Sequence, residues 1–223
     1  MTRRQAPTAA VPAGPNRWFF DLWSLVYDLP VVQWTTYRPV HDAVVAALRQ
    51  GPVRRVLDVG CGTGQLATRL HRALPAAAVV GCDFSAGMLG RAATRSRGVR
   101  WVRGDAGRLP FDDRSFDAIV STEAFHWFPD QGAALREFFR VLKPGGRLLL
   151  ALVNTPSPTV SNAVHAASRL LGEPFYWPSI DQMRHRVESA GFRVAAQRRL
   201  RRIGGVMLFT PVLTEALRPT RRR

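Results

Sequence analysis

The chain has 223 residues, 46% of them hydrophobic, which is enough for one domain with a full core. Lysine and arginine together number 32 against 16 aspartates and glutamates, so the formal net charge is +16. No apolar run is long enough to span a membrane and no signal-peptide pattern precedes the fold, so we expect a cytoplasmic protein rather than a membrane or secreted one.

The first 50 residues divide into two parts. Residues 1–16 are rich in alanine, proline and threonine without periodicity, so we expect a disordered arm. Residues 17–50 are too apolar for a linker, and we expect two helices that cap the rest of the domain. The second helix is indicated by Val40, Val44, Ala47 and Leu48, and should end near Gly51.

Three glycines then stand at alternate positions between a predicted strand and a predicted helix. Val53–Val59 is rich in valine, which indicates a buried strand, and Gln65–Leu74 carries apolar residues at helical spacing. Gly60, Gly62 and Gly64 let the backbone turn sharply and let a ligand approach the main chain. The free N–H groups at the start of the helix would face that ligand. We therefore predict a site for a nucleotide-type cofactor.

The glycine pattern also bears on which cofactor is bound. A dinucleotide-binding loop needs glycine at the first, third and sixth positions of its fingerprint. Counted from Gly60, the sixth position is Gln65, so that pattern is not met. The chain instead has Asp-x-Gly-x-Gly-x-Gly, beginning at Asp58 inside the predicted strand.

Two further predicted strands also end in acidic residues. Ala78–Cys82 is followed by Asp83, whose carboxylate could accept hydrogen bonds from both hydroxyls of a ribose, and Phe84 could lie against a base. Ser85 should cap the helix that follows. Val99–Val102 is a third strand, followed by Gly104, Asp105 and Ala106. Because ligands bind at the carboxyl ends of strands in open α/β sheets, both carboxylates should lie in one site.

A fourth and a fifth strand complete this region. Phe116–Val120 is a strand that ends at Ser121, Thr122 and Glu123. A helix over Asp130–Leu142 stops at the Lys-Pro-Gly-Gly sequence 143–146, and Arg147–Val153 is the fifth strand.

In order, the sequences LDVGCGTG, DFS, GDA, FDAIVSTEAFHWF and REFFRVLKPGGRLLL resemble the class I S-adenosylmethionine-dependent methyltransferases, in the subgroup of ubiquinone and menaquinone biosynthesis. The resemblance covers residues 53–153. It implies a Rossmann-like, doubly wound α/β fold: a seven-stranded, mostly parallel sheet with an antiparallel C-terminal strand and helices on both faces. Residues 17–215 would form this one domain, with 17–50 as its cap helices.

The resemblance implies S-adenosylmethionine as the cofactor and a set of residues that bind it. From the cap, Tyr27 or Tyr37 could reach the cofactor, although packing in an aromatic core is the more ordinary role. The cofactor-binding residues expected from the motifs are Asp58, Gly60, Cys61, Gly62, Gly64, Asp83, Phe84, Met88, Asp105, Ala106 and Ser121.

Glu123 and His126, just past the fourth strand, are the candidate catalytic residues. A histidine there could remove a proton from the acceptor near neutral pH. It could equally stabilise a turn, since aromatic residues flank it. The Asn/Asp-Pro-Pro-aromatic motif of many amino-group methyltransferases is absent. We therefore expect a small-molecule acceptor, quinone-like, phenolic or polyketide-type, methylated at oxygen or carbon.

The segment 154–178 leaves the carboxyl end of the fifth strand. It contains a helical stretch near Val160–Leu171 and then an aromatic, proline-bounded sequence, which suits a lid over the acceptor or a loop packed on the sheet edge. Ser179 and Gln182 form a capping box for a helix that ends at Gly191. Two final antiparallel strands are expected at Phe192–Gln197 and Val206–Leu213.

The C-terminal region is strongly basic. Residues 198–223 contain eight arginines, and residues 216–223 are predicted as a basic tail. Arginine clusters can bind RNA, so an RNA methyltransferase is one alternative function. A non-catalytic cofactor-binding module and a nicotinamide oxidoreductase are two others.

Neither a disulfide nor a metal site is expected. The two cysteines, Cys61 and Cys82, are predicted to be reduced in the cytoplasm. The sequence lacks the cysteine and histidine spacing of a metal site.

Overall fold

The computed structural model describes residues 37–170, 176–200 and 211–220. Several predictions lie outside these residues. They are the disordered arm, the first cap helix with Tyr27, residues 171–175 of the predicted lid, residues 206–210 of the last predicted strand, and the end of the basic tail.

Six α-helices and seven strands occupy the described residues. The helices are α1 Arg38–Leu48, α2 Gln65–Ala73, α3 Ala86–Arg95, α4 Gln131–Val141, α5 Pro158–Leu170 and α6 Ile180–Ser189. The strands are β1 Arg55–Val59, β2 Ala78–Asp83, β3 Arg100–Arg103, β4 Phe116–Thr122, β5 Leu142–Val153, β6 Arg193–Arg199 and β7 Pro211–Leu217. A short 3₁₀ helix covers Phe125–Trp127.

The strands form one sheet in the order β3-β2-β1-β4-β5-β7-β6. The pairs from β3 through β5 are parallel, whereas β7 runs antiparallel to both β5 and β6. The predicted seven-stranded, mostly parallel sheet is therefore confirmed, and its antiparallel strand is β7. This topology brings the carboxyl ends of β1, β2, β3 and β4 to one edge.

Apolar side chains cover both faces of the sheet. One buried cluster joins the sheet to α4 and α6, with Phe138 and Met183 fully buried. The other joins it to α1 and α2, with Val44 and Leu70 fully buried. Helices therefore lie on both faces, as predicted for a doubly wound sheet.

Two strand predictions need correction. We expected the last strand at Val206–Leu213, but β7 is Pro211–Leu217, because its pairing with β5 runs from Pro211 opposite Val153 to Leu217 opposite Arg147. We expected the fifth strand from Arg147, but β5 already begins at Leu142. The Lys-Pro-Gly-Gly sequence forms an irregularity in the β4–β5 pairing instead of a separate loop.

The boundary of the basic tail also moves. The tail was predicted to begin at residue 216, but Ala216 and Leu217 are the last two residues of β7. Arg218 then donates to the carbonyl oxygens of Phe139 and Leu142, and its guanidinium lies 4.4 Å from the centroid of the Phe139 ring. This arginine stabilises the end of α4 and is part of the folded domain.

Candidate functional site

The glycine loop after β1 has the left-handed backbone that its glycines predicted. The φ angles of Gly60, Gly62 and Gly64 are +71°, +52° and +78°. The N–H groups of Gly60 and Cys61 both donate to the carbonyl oxygen of Cys82, at 2.8 and 3.2 Å. The loop is thus attached to the end of β2. A side chain at Gly62 would meet no protein atom within 4 Å, so this glycine faces open space.

Asp83 is tied to the loop through its carboxylate. Oδ2 accepts from the N–H of Gly62 at 2.8 Å, and Oδ1 accepts from the N–H of Ser85 at 2.9 Å. Burial raises the pKa of Asp83, and these backbone donors oppose that rise. The position of this carboxylate therefore depends on the position of the glycine loop.

Asp58 lies below the loop and is 1% exposed. Burial, with a further contribution from the nearby Asp83 charge, raises the pKa of Asp58 to about 8. Its Oδ2 has no hydrogen-bond partner among the described residues. At neutral pH this carboxyl group is therefore largely protonated.

The turn after β3 lies beside Asp83. The N–H of Gly104 donates to the carbonyl oxygen of Asp83 at 3.0 Å, which brings the exposed Asp105 and its neighbour Ala106 to the same edge. The Phe84 ring is 39% exposed. Met88 is buried in the first turn of α3, and its N–H donates to Ser85 Oγ, so the predicted N-cap is confirmed.

The turn after β4 contacts the glycine loop directly. A Cβ on Gly60 would come within 2.4 Å of the Ala124 Cβ, so only glycine allows this approach. Glu123, next to Ala124, has a φ of +52°, and its N–H donates to the carbonyl oxygen of Ala151 at 2.7 Å. A non-glycine residue held in this conformation is strained by about 1–3 kcal/mol, and such residues cluster at active sites. Ser121 lies fully buried at the same edge.

His126 is buried, with 7% of its surface exposed. Its ring lies between those of Trp127 and Trp177, with centroid distances of 5.1 and 5.8 Å. Burial lowers the pKa of His126 to about 3, and its Nδ1 has no hydrogen-bond partner among the described residues. The imidazole is therefore neutral at physiological pH.

Residues 176–178, which we call the strap, close over this turn. Gln131 Nε2 donates to the carbonyl oxygens of Phe125 and Tyr176, both at 3.1 Å, and the N–H of Tyr176 donates to the carbonyl oxygen of His126 at 3.0 Å. Gln131 was not predicted from the sequence, because its contact with Tyr176 spans 45 residues. Only its place at the start of a helix near the sheet edge could have indicated it.

The strap is also attached to the end of β5. Asn154 Nδ2 donates to the carbonyl oxygen of Pro178 at 2.9 Å, and Ser161 Oγ donates to that of Trp177 at 2.7 Å. Asn154 Oδ1 and Gln131 Oε1 are buried without partners among the described residues. In the part of the chain that the structure describes, these two oxygens, like His126 Nδ1, can still accept a hydrogen bond.

The two cysteines are free and buried. Burial raises the pKa of Cys82 to about 12 and that of Cys61 well above its ordinary value, with the charge of Asp83 adding to both. Since only a thiolate is a good nucleophile, neither thiol is suited to nucleophilic chemistry. Within the described ranges, no cluster of three or more potential ligands could hold a metal ion.

Comparison with known proteins identifies the family of this fold and site. A family model described as a methyltransferase domain matches residues 57–150. The chain is 37% identical over 210 residues to a demethylmenaquinone methyltransferase of Mycobacterium tuberculosis, covering 84% of this chain and 87% of the relative. It is 36% identical over 176 residues to that of Corynebacterium kroppenstedtii, covering 70% and 74%.

Solved structures agree with this sequence similarity. A chain from the complex of the Haloferax volcanii Trm112 methyltransferase activator with a methyltransferase matches with a TM-score of 0.72 and 26% identity, covering 90% of this chain and 97% of the other. A methyltransferase from Thermotoga maritima matches with a TM-score of 0.70 and 22% identity, covering 91% and 98%.

A glycine loop at the carboxyl edge of this sheet, with an acidic residue at the end of β2, is the architecture of a nucleotide-cofactor enzyme. With the relatives above, the chain belongs to the class I S-adenosylmethionine-dependent methyltransferases, in the ubiquinone and menaquinone subgroup. No described helix has the length and apolar character needed to cross a membrane.

Proposed function

We propose that this methyltransferase transfers the methyl group of S-adenosylmethionine to a carbon or oxygen of a quinone-like aromatic metabolite. One observation carries the proposal. Similarity to demethylmenaquinone methyltransferases extends over 84% of the chain, whereas the methyltransferase domain covers only residues 57–150. The alignment therefore reaches well beyond the domain that defines methyltransferases in general.

The cofactor edge fits S-adenosylmethionine. We assign the ribose hydroxyls to Asp83, a face of the adenine to the exposed Phe84 ring, and the adenine amino group to Asp105 and Ala106. The open space over Gly62 suits the methionine part of the cofactor. Asp58, Gly64, Cys61, Met88 and Ser121 are assigned supporting positions around this cavity, because they are buried at the same edge.

When bound, the cofactor supplies an electrophilic methyl group on a sulfonium sulfur. The residues of the chain have to align the acceptor atom with that methyl group and exclude water, and such positioning is worth about 7–11 kcal/mol in favourable cases. The contact between Gly60 and Ala124 serves this purpose, because it fixes the turn after β4 against the glycine loop.

We assign Glu123 as the proton acceptor and His126 as a positioning residue on the acceptor side. A histidine whose pKa is about 3 is too weak a base for efficient proton removal near pH 7. Its Nδ1, which has no partner among the described residues, can still accept a hydrogen bond from a hydroxyl of the methyl acceptor. We further propose that residues 154–178 act as the lid over the acceptor, with the strap as its fixed end. A cytoplasmic location stays a prediction.

The alternative of an RNA methyltransferase has less support. Arg198 Nε donates to Glu215 Oε1 at 3.1 Å, and Arg218 is bound to backbone carbonyls of the domain. Arg218 is therefore engaged within the fold, and the charge of Arg198 is paired with Glu215, although the Arg198 side chain is still 52% exposed.

The test is a methyl-transfer assay with the full chain. The protein is incubated with S-adenosylmethionine labelled with a deuterated methyl group and with chemically reduced 1,4-naphthoquinone carrying a short prenyl chain. Mass spectrometry follows the label, with heat-inactivated protein as the control. We expect the label on the naphthoquinone ring or its oxygen. Label on added RNA and none on the quinol would overturn the proposal.

A further inference from the structure

The indole ring of Trp101 lies across two glycines of the cofactor region. A Cβ on Gly64 would come within 2.4 Å of Trp101 Cη2, and a Cβ on Gly81 within 2.4 Å of Trp101 Cζ3. Gly81 is the register partner of Trp101 in the β2–β3 pair, and Gly64 is the last glycine of the loop. The side chain thus reaches from β3 over β2 to the loop after β1. It fills a slot that exists only because both positions lack a side chain.

Two further contacts hold this arrangement in place. Trp101 Nε1 donates to the carbonyl oxygen of Ser96 at 3.0 Å, which fixes the orientation of the ring at the end of α3. From the same helix, Arg95 Nε donates to the carbonyl oxygen of Thr63 at 2.9 Å. The loop residues Thr63 and Gly64 are therefore held by contacts from α3 and β3.

These contacts continue to the proposed cofactor-binding groups. Gly62 precedes Thr63, and its N–H is a donor to Asp83. A shift of Thr63 and Gly64 would displace that N–H and reorient the Asp83 carboxylate. Displacement of a binding group by about 1 Å, even from a distant change, can cost up to 100-fold in function.

We infer that Trp101 is a positioning residue for cofactor binding, which acts on the glycine loop through Gly64 and is assisted by Arg95. The inference rests on the proposed binding of S-adenosylmethionine at this loop. A tryptophan that only filled the core would contribute to stability and leave cofactor affinity unchanged, so affinity and stability have to be measured on the same variants.

The experiment is calorimetric titration with S-adenosylhomocysteine, together with thermal unfolding of each variant. We expect Trp101→Leu to weaken binding about tenfold or more and Trp101→Phe, which keeps a ring in the slot, to weaken it about threefold or less. Phe139→Leu is the matched control. Phe139 packs on Phe192 at 5.2 Å between centroids, far from the loop, and its loss should lower stability without changing affinity.

A second set of variants changes Gly81, because the methyl group of an alanine there should collide with the Trp101 indole. Gly81→Ala should weaken binding. The double variant Gly81→Ala/Trp101→Leu should bind more tightly than Gly81→Ala alone, because the smaller leucine leaves room for the new methyl group. If Trp101→Leu does not fold, Gly81→Ala alone and Arg95→Gln, expected to weaken binding about threefold, decide the question.

The outcomes separate this inference from the proposed function. Failure of the wild-type protein to bind S-adenosylhomocysteine would contradict the cofactor site itself. Wild-type binding with unchanged affinity in the folded Trp101, Gly81 and Arg95 variants would contradict the positioning role alone.

Discussion

The carboxyl edge of the sheet has a cofactor side, at the ends of β1 to β3, and an acceptor side, formed by the turn after β4 and the strap. The two sides differ in how their polar side chains are hydrogen-bonded. On the cofactor side, the Asp83 carboxylate accepts two backbone hydrogen bonds, whereas Asp58 Oδ2 and Ser121 Oγ have no partner among the described residues. On the acceptor side, three buried atoms have no hydrogen-bond partner among the described residues: His126 Nδ1, Gln131 Oε1 and Asn154 Oδ1. Buried acceptor atoms are costly unless a donor reaches them. We therefore expect the Asp83 carboxylate to be positioned before the cofactor binds, and we expect the methyl acceptor to supply a hydrogen-bond donor to the turn after β4.

The largest expected effect comes from a side chain in the open space over Gly62. Gly62→Val should abolish detectable binding of S-adenosylhomocysteine, because its side chain would project into the space assigned to the cofactor and because a valine is strained at the positive φ of this position. Gly145→Val is the matched control: its φ of +77° is also positive, but Gly145 lies in the Lys-Pro-Gly-Gly sequence at the start of β5, so stability should fall while affinity stays unchanged. Calorimetry and thermal unfolding compare the two, and normal binding by Gly62→Val would refute the loop assignment.

Removal of the ribose acceptor should have the next largest effect. Asp83→Ala should weaken S-adenosylhomocysteine binding about 100-fold, because hydrogen bonds to a charged group are worth about 1.5–3 kcal/mol each. Asp117→Ala serves as the control, since Asp117 pairs with Lys143 at 2.6 Å near the amino ends of the strands. Equal affinity of the two variants would reject Asp83 as the ribose ligand.

A change on the acceptor side should weaken binding of the quinol and leave binding of the cofactor unchanged. Gln131→Met removes the two hydrogen bonds by which the Gln131 amide links the turn after β4 to the strap, and leaves the direct bond from the Tyr176 N–H to the His126 carbonyl. We expect the KM for the quinol to rise about tenfold and the affinity for S-adenosylhomocysteine to stay within about twofold. Gln182→Met, which removes only the capping-box contact of α6, should lower stability and leave this KM unchanged. A parallel loss of cofactor affinity in Gln131→Met would argue against two separable sides.

The two sides should also differ in how the free energy of unfolding depends on pH. The pKa of His126 falls from 6.5 in the unfolded chain to about 3 in the folded one, so the unfolded state gains a proton first as pH drops below 6.5. The unfolding free energy should therefore fall with acidification, by about 2 kcal/mol at pH 5. His41, equally buried with a pKa of about 3, adds to this fall.

Asp58 acts in the opposite direction. Its pKa rises from 3.8 to about 8 on folding, so the unfolded state releases its proton first, and the unfolding free energy should fall as pH rises from about 4 to 8. Chemical denaturation across this range is the measurement. His126→Asn should flatten the acid limb and Asp58→Asn the alkaline limb, and unchanged limbs would show that these groups are not buried as described.

The cofactor side was largely predictable because its signals are local in sequence. Asp83 directly follows its strand, and Ser85 caps the helix that begins one residue later. The order of strands and helices then fixes which ends share an edge. The same reasoning correctly predicted the capping box of Ser179 and Gln182.

The acceptor side and the last strand depend on contacts that sequence patterns do not contain. The apolar sequence 206–213 predicted a strand, but only the pairing with β5 shows that the strand continues to Leu217. Glu123 has a left-handed backbone, which sequence patterns predict only where a glycine stands. A tryptophan on a predicted strand indicates a core position. The contacts of the Trp101 ring with Gly64 and Gly81 follow only from the three-dimensional structure.

The most direct test of the central claim is calorimetric titration of the full chain with S-adenosylhomocysteine in the absence of any acceptor, with NAD as the comparison. A cofactor side that is organised in advance predicts one bound S-adenosylhomocysteine per chain, with a dissociation constant of about micromolar order, and no binding of NAD. Binding that appears only after the quinol is added, or binding of NAD in its place, would contradict the account.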